Sequence, residues 1–198
     1  MHMARRTARL GLLVIVGALA SGCGINNIPT YDEGVKAAWG QVQNQYQRRA
    51  DLVPNLVATV QGYAAHERET LQAVIEARSK VAQMNVSPEI LSDPAAFKAF
   101  EQNQAQLTSA LSRLMVVVER YPDLKANQNF LQLQSQLEGT ENRISIARRD
   151  YIAAVQQYNT ELRTFPGRIW HGIMYRNMKV RESFEANDGA STAPTVKF

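Results

Sequence analysis

The chain has a single cysteine, Cys23, in 198 residues. An internal disulfide is therefore excluded, and with no CxxC pair zinc sites of the finger type are excluded too. Histidine is scarce: His2, His66 and His171 are the only three. His66-Glu67 lacks the second histidine, four residues on, that a zinc-protease helix needs. No Glu-x-x-His pair occurs, so the di-iron helical bundle is excluded as well. There is no glycine-rich phosphate loop and no Gly-x-Ser-x-Gly elbow. These absences leave no metal site, no cofactor and no catalytic residues to assign, and the chain reads as a non-enzyme. Seven prolines and 11 glycines are too few for a low-complexity protein. Excess charge is also missing where it would matter. The formal net charge is +4 and the pI near 9.3. However, Arg5, Arg6 and Arg9 lie in an N-terminal segment expected to be removed. The remainder holds 19 basic against 18 acidic residues, which provides little counterion-release binding and argues against a nucleic-acid partner.

No apolar run reaches the roughly 20 residues that cross a bilayer as a helix. What is present is shorter. Residues 1–22 have the pattern of a signal peptide, with a basic start at Arg5, Arg6 and Arg9 and an apolar stretch from Leu10 to Ala20. The stretch closes on Leu19-Ala20-Ser21-Gly22-Cys23, which resembles the lipobox of bacterial lipoproteins. That resemblance implies a diacylglyceryl (palmitate-type) group on the Cys23 thiol and Cys23 as the mature N-terminus. Gly24, rather than Asp, follows it, which implies passage to the outer membrane. The expected location is thus a membrane-anchored lipoprotein facing the periplasm, with the membrane as its first partner. Residues 23–30 lack periodicity and read as a tether.

Three runs of apolar residues at three- and four-residue steps predict three long helices. The first runs from about Asp32 through Val35, Trp39, Val42, Tyr46, Val53, Leu56, Val60, Tyr63, Leu71 and Val74 to Val81. Pro54 lies inside it. A proline in a helix interior costs about 3 kcal/mol, while each large apolar side chain on the stripe contributes about 1.5–3 kcal/mol when buried, so a kink is expected rather than an end. The second helix begins with Ser92 or Asp93 as N-cap and Pro94 in its first turn. It carries Phe97, Phe100, Leu107, Leu111, Leu114 and Val118 and stops before Pro122. The third carries Phe130, Leu133, Leu137, Thr140, Ile144, Ala147, Tyr151, Val155, Tyr158, Leu162 and Phe165. It is about 55–60 Å long at 1.5 Å per residue, and only the first helix matches it. The expected fold is all-α: an elongated antiparallel up-and-down helical bundle over residues 31–165, the first and third helices antiparallel to the second. A short C-terminal helix and a disordered tail are expected over 166–198, with Trp170, His171 and Tyr175 packed on the bundle end.

Part of this pattern is distinctive. The run RRADLVPNLVATVQGYAAHE covers residues 48–67, followed by Glu76-Ala77-Arg78 and Tyr121-Pro122-Asp123-Leu124-Lys125-Ala126-Asn127. Phe130-Leu131-Gln132-Leu133, Thr140-Glu141-Asn142-Arg143-Ile144, Ala147-Arg148-Arg149-Asp150-Tyr151, Tyr158-Asn159 and Phe165-Pro166 come next, in that order. From about Tyr31 to Phe165 the chain resembles the LemA family of bacterial envelope proteins. The resemblance implies a helical bundle held at a membrane and leaves the molecular function unassigned.

The remaining candidates are charges on the helix seams. Arg49, Glu67 and Arg78 occupy stripe positions of the first helix. Thr140 and Glu141 lie on the third, with Arg148 two turns on. Glu67 or Glu141 is expected to pair with Arg49, Arg78 or Arg148 as a structural ionic layer that sets register. A protein partner in the envelope, engaged by a scaffold or interaction module, is the expected function. The alternative is a bundle that binds a small polar or peptidic ligand at this layer.

Overall fold

A computed structural model describes residues 24–84 and 86–185. The signal segment, Cys23 and the tail beyond Glu185 lie outside the described residues. Helices follow in the order α1 (Asn27–Gln61), α2 (Arg68–Ala82), a 3-10 turn (Pro88–Ser92), α3 (Pro94–Val118), α4 (Pro122–Lys125), α5 (Gln128–Arg163) and α6 (Gly167–Ile173). No strand occurs among the described residues.

The fold is the expected all-α antiparallel bundle, with corrections. Residues 27–30, expected in the tether, already form the first turn of α1, where Ile28 is fully buried in the aromatic cluster. The first predicted helix is two helices. Pro54 does not end it: α1 runs through Pro54, which lies on the exposed face. The break comes at 62–67, where α2 turns back along α1. The reason is length. α1 has 35 residues and α5 has 36, so each spans about 53 Å. A helix continuing beyond Gln61 would have no α5 to cover Leu71, Val74 and Ala77. By folding back, these three bury beside Val53, Leu56 and Val60. Ala64, fully buried in the turn, donates its N–H to the Val60 carbonyl at 2.8 Å.

The extra reversal changes the directions. Asn27 reaches Glu161, Arg49 reaches Glu141 and Asn127 reaches Tyr63, so α1 and α5 are antiparallel to each other. The expectation that both oppose the second predicted helix holds only for α5. Lys80 meets Gln106 and Arg120 meets Glu67, so α2 and α3 are likewise antiparallel, and α3 runs parallel to α1. Asp93 caps α3, its carboxylate accepting from the N–H groups of Ala95 and Ala96 at 3.0 and 3.1 Å. Asn127 caps α5 through the Phe130 N–H at 3.1 Å.

Nearly all stripe residues are buried. Tyr63 and Phe165 are the clear exceptions, at 45% and 82% exposure; both sit where the bundle ends and no helix faces them. The core divides into two clusters. One is aromatic and holds Trp39, Tyr46, Phe97, Phe100, Tyr151 and Phe184, with ring centroids 5.0–6.5 Å apart. The other is mainly aliphatic and holds Val53, Leu56, Val60, Leu107, Leu114 and Leu137 with Phe130. After α6 the chain runs without regular structure to Glu185 and forms a strap along the aromatic end of the bundle.

Candidate functional site

Between the two clusters lies a polar layer. Along α1 it falls at Arg49, between Tyr46 and Val53. Along α3 it falls at Gln104, between Phe100 and Leu107, and along α5 at Thr140 and Glu141, between Leu137 and Ile144. Arg49 is 1% exposed. Its Nη1 donates to Glu141 Oε1 at 2.7 Å and to Thr108 Oγ1 at 2.8 Å. Its Nη2 donates to the Gln104 side-chain oxygen at 2.5 Å and to the Gln104 carbonyl at 3.3 Å. The guanidinium also stands 5.0 Å from the Tyr46 ring centre. Its Nε is buried without a partner. One cation on α1 is therefore bonded to two other helices at once.

The layer opens on a cleft of about 380 Å³ whose rim includes Glu101, Ser109, Glu141 and Arg148. Arg148 lies over the Phe184 ring at 4.2 Å. Burial pushes the Tyr46 phenol up in pKa, opposed by the nearby Arg148 and Arg49 charges. Burial also raises the Glu101 carboxyl, again opposed by Arg148. A second cleft, of about 550 Å³, continues between α3 and α5 past Leu111, Met115, Gln134 and Leu137.

Of the seam charges, the structure brings together Arg49 and Glu141, with Arg148 on the rim of the same cleft. Two lie elsewhere. Arg78 donates its Nε–H to the Ala50 carbonyl at 3.0 Å. Glu67 stands at the far end of the bundle, where Arg120 Nη2 and the Tyr121 hydroxyl donate to it at 2.9 and 3.0 Å. The turn at 62–67 explains its displacement from Arg49. Thr140 is fully buried and bonded to the Gln136 carbonyl of its own helix at 2.7 Å. Cys23 lies outside the described residues.

A second buried ion pair was not anticipated. Arg181 on the strap donates through Nε and Nη2 to Asp32 Oδ1 at 2.9 and 2.6 Å and bonds Ser92 Oγ. Asn159 holds the Arg181 backbone from both sides, at 2.9 Å each. The Tyr151 and Tyr158 hydroxyls donate to the carbonyls of Glu182 and Lys179 at 2.7 and 3.0 Å. Asp32 carried a signal, since it stands three and seven residues before Val35 and Trp39, in stripe register. Gln104 carried one too, filling the gap between Phe100 and Leu107. Arg181 carried none, because the strap has no periodicity.

Residues 38–198 match the LemA family. The chain belongs to the LemA family. Among relatives of this LemA-family chain is magnetosome protein MamQ 2 of Paramagnetospirillum magneticum, 26% identical over an alignment of 184 positions that covers 84% of this chain and 66% of that protein. Protein LemA of Metamycoplasma hominis is 27% identical over 131 residues, 66% of this chain and 56% of that protein. Magnetosome protein MamQ of Magnetospirillum gryphiswaldense is 26% identical over an alignment of 157 positions that covers 71% of this chain and 58% of that protein. The match thus spans under two thirds of the length of these relatives. Among the described residues no helix is long and apolar enough to cross a membrane, and no group of residues is disposed to hold a metal ion.

Proposed function

We propose that this LemA-family protein is a lipid-anchored bundle of the bacterial envelope. It faces the periplasm from the outer membrane, as a scaffold or interaction module without catalysis of its own. The observation that supports this best is the Arg49 layer. Both Nη atoms of its guanidinium are bonded by side chains of α3 and α5, so the most buried charge of the seam serves to join helices. Magnetosome proteins among the relatives are compatible with work at a cellular structure. The anchor reading rests on the signal pattern that ends at Cys23, and two acyl chains or more would make it stable, since one alone is marginal.

Mass spectrometry of the mature N-terminus tests the anchor. A diacylglyceryl-modified Cys23 is expected; an unmodified peptide that starts upstream of Cys23, or release by a salt wash, ends that reading. Photo-crosslinking in intact envelopes, from residues placed at Glu101 and Ser109, tests the module. A discrete protein adduct is expected, and its absence from both positions counts against an interaction site at the cleft.

A second reading is a small polar or peptidic ligand in the cleft. It is favoured by one observation, the unpartnered Nε of Arg49 beside a cleft of about 380 Å³. Calorimetric titration with short peptides separates the two: heat of binding that is lost in Arg148→Gln supports the ligand, and no heat leaves the scaffold.

A further inference from the structure

The end of the bundle where the chain enters the fold carries an apolar stripe that no described residue covers. Ile169 and Ile173 stand four residues apart and share one face of α6, and Phe165, in the turn that leads into α6, is exposed at the same end. Ile169, Ile173 and Phe165 are 47%, 66% and 82% exposed, and Met174 beside them is 54% exposed. The other face of α6 is committed inward. Trp170 packs on the aromatic cluster, and Gly167 is buried against the last turns of α5. A Cβ at Gly167 would lie 2.2 Å from the Glu161 carbonyl oxygen, so glycine alone permits this approach. Close packing of the inner face is what holds the stripe outward.

The segment that carries the stripe has charge of one sign. No acidic residue occurs between Leu162 and Arg181, whereas Arg163, Arg168, Arg176 and Lys179 are all exposed. Other elements bring acids to this end, each with a partner: Glu89, exposed in the cleft that Lys179 and Arg181 also line, bonds Ser87, and Asp93 there caps α3. Glu161 accepts from the Asn27 side chain at 3.2 Å. Asp32 binds Arg181 and Lys36, and Lys36 also holds Glu33. The entry of the chain is here as well, for a Cβ on Gly24 would stand 3.2 Å from Pro166 Cγ. The segment with the apolar run Leu10–Ala20 and Cys23 therefore joins the fold beside Pro166.

We propose that this face lies on an anionic phospholipid surface. Phe165, Ile169, Ile173 and Met174 enter the headgroup boundary, and Arg163, Arg168, Arg176 and Lys179 meet lipid phosphates. An apolar stripe rimmed by cations is the composition that such an interface selects. The proposal rests on the anchor reading in that the N-terminal lipid keeps this end at the bilayer. With this face down, the bundle stands on end and Arg49, 22 residues along α1 from Asn27, is held about 33 Å above it.

The test uses the full chain with Ile173→Cys or, at the opposite end on α4, Asp123→Cys. Each carries an environment-sensitive fluorophore, and the unsubstituted chain labelled alongside reports any signal from Cys23. The proteins are mixed with vesicles of phosphatidylcholine and phosphatidylglycerol, or of phosphatidylcholine alone. A blue shift at position 173 and none at 123 is expected, strongest on the anionic vesicles. It should be lost in Arg168→Gln/Arg176→Gln and in Phe165→Ser/Ile169→Ser, with helical circular dichroism of each variant measured as the control for folding. Flotation of the chain with vesicles but no shift at 173 overturns the face and leaves the anchor standing. A chain that fails to float on phosphatidylcholine yet shifts at 173 on anionic vesicles supports the face and counts against the anchor. Equal shifts at 173 and 123 also overturn the proposal, since they mean non-specific adsorption.

Discussion

Arg78 completes what Pro54 leaves undone. In a continuous helix the N–H of residue 54 would bond the carbonyl of Ala50, but proline has no N–H. The Ala50 carbonyl instead accepts from Arg78 Nε at 3.0 Å. α2 returns along α1 at the right level to supply that donor. The two features that made this stretch unusual as sequence, a proline in an apolar stripe and an arginine in a seam position, are thus one arrangement.

The relation is measurable. Arg78→Met should cost about 1–3 kcal/mol, the price of an unsatisfied half-buried carbonyl. In a Pro54→Ala background the backbone N–H is restored and the same change should cost markedly less. Denaturant melts of both single variants and the double variant give the coupling. A coupling near zero would mean that Arg78 and Pro54 act independently.

The Arg49 layer should respond asymmetrically. The Glu141 side chain is 45% exposed and that of Arg49 is 2% exposed, so losing either partner has different consequences. Glu141→Gln leaves a buried cation with weaker acceptors and should cost about 1–3 kcal/mol. Arg49→Met leaves a carboxylate that rehydrates, and should cost less than a fully buried pair would when one charge is stranded, about 3–5 kcal/mol. Urea melts of the two singles and the double check both the ranking and the coupling.

The strap should be held by its ion pair. Arg181→Ala strands Asp32, whose side chain is 3% exposed. Lys36 remains on the other carboxylate oxygen at 2.9 Å, so the loss should fall at the lower end of about 3–5 kcal/mol. Hydrogen exchange should show faster exchange in residues 174–185 with α1 and α5 still protected. Uniform loss of protection would instead mean that the strap and the bundle unfold together.

Alkaline pH should destabilise the protein through its core tyrosines. Burial raises the pKa of Tyr46, Tyr151 and Tyr158 above the ordinary phenol value of 10.0. Above that value the unfolded phenols ionise while the folded ones keep their protons. The folded state then binds more protons, so stability is complete below about pH 10 and falls as pH rises further. Thermal melts across that range should show the decline, and Tyr151→Phe should make it shallower.

How much of this was legible beforehand follows from the range over which each signal acts. Helix stripes are local: Val35, Trp39, Val42 and Tyr46 share a face because of the 3.6-residue period, and the buried residues of α1, α3 and α5 could be named from spacing. The cap at Asp93 is equally local. Where α1 stops is not, because Leu71 and Val74 continue the period in either case and only the length of α5 decides whether they have a partner. The same holds for charges. Arg49, Glu67 and Arg78 share one stripe in sequence, yet the turn at 62–67 sends Glu67 to the bundle end and Arg78 back to Ala50.

The sequence by itself determined an all-α chain, its seams and the polar residues that interrupt them, because periodicity needs only neighbours along the helix. The tertiary structure decided which of those polar residues meet. Glu141 lies 92 positions from Arg49, and Arg181 lies 149 from Asp32. No local preference encodes such separations; the first pairing arises where antiparallel packing of helices matched in length brings the two levels together, and the second where the strap is laid back across the bundle end.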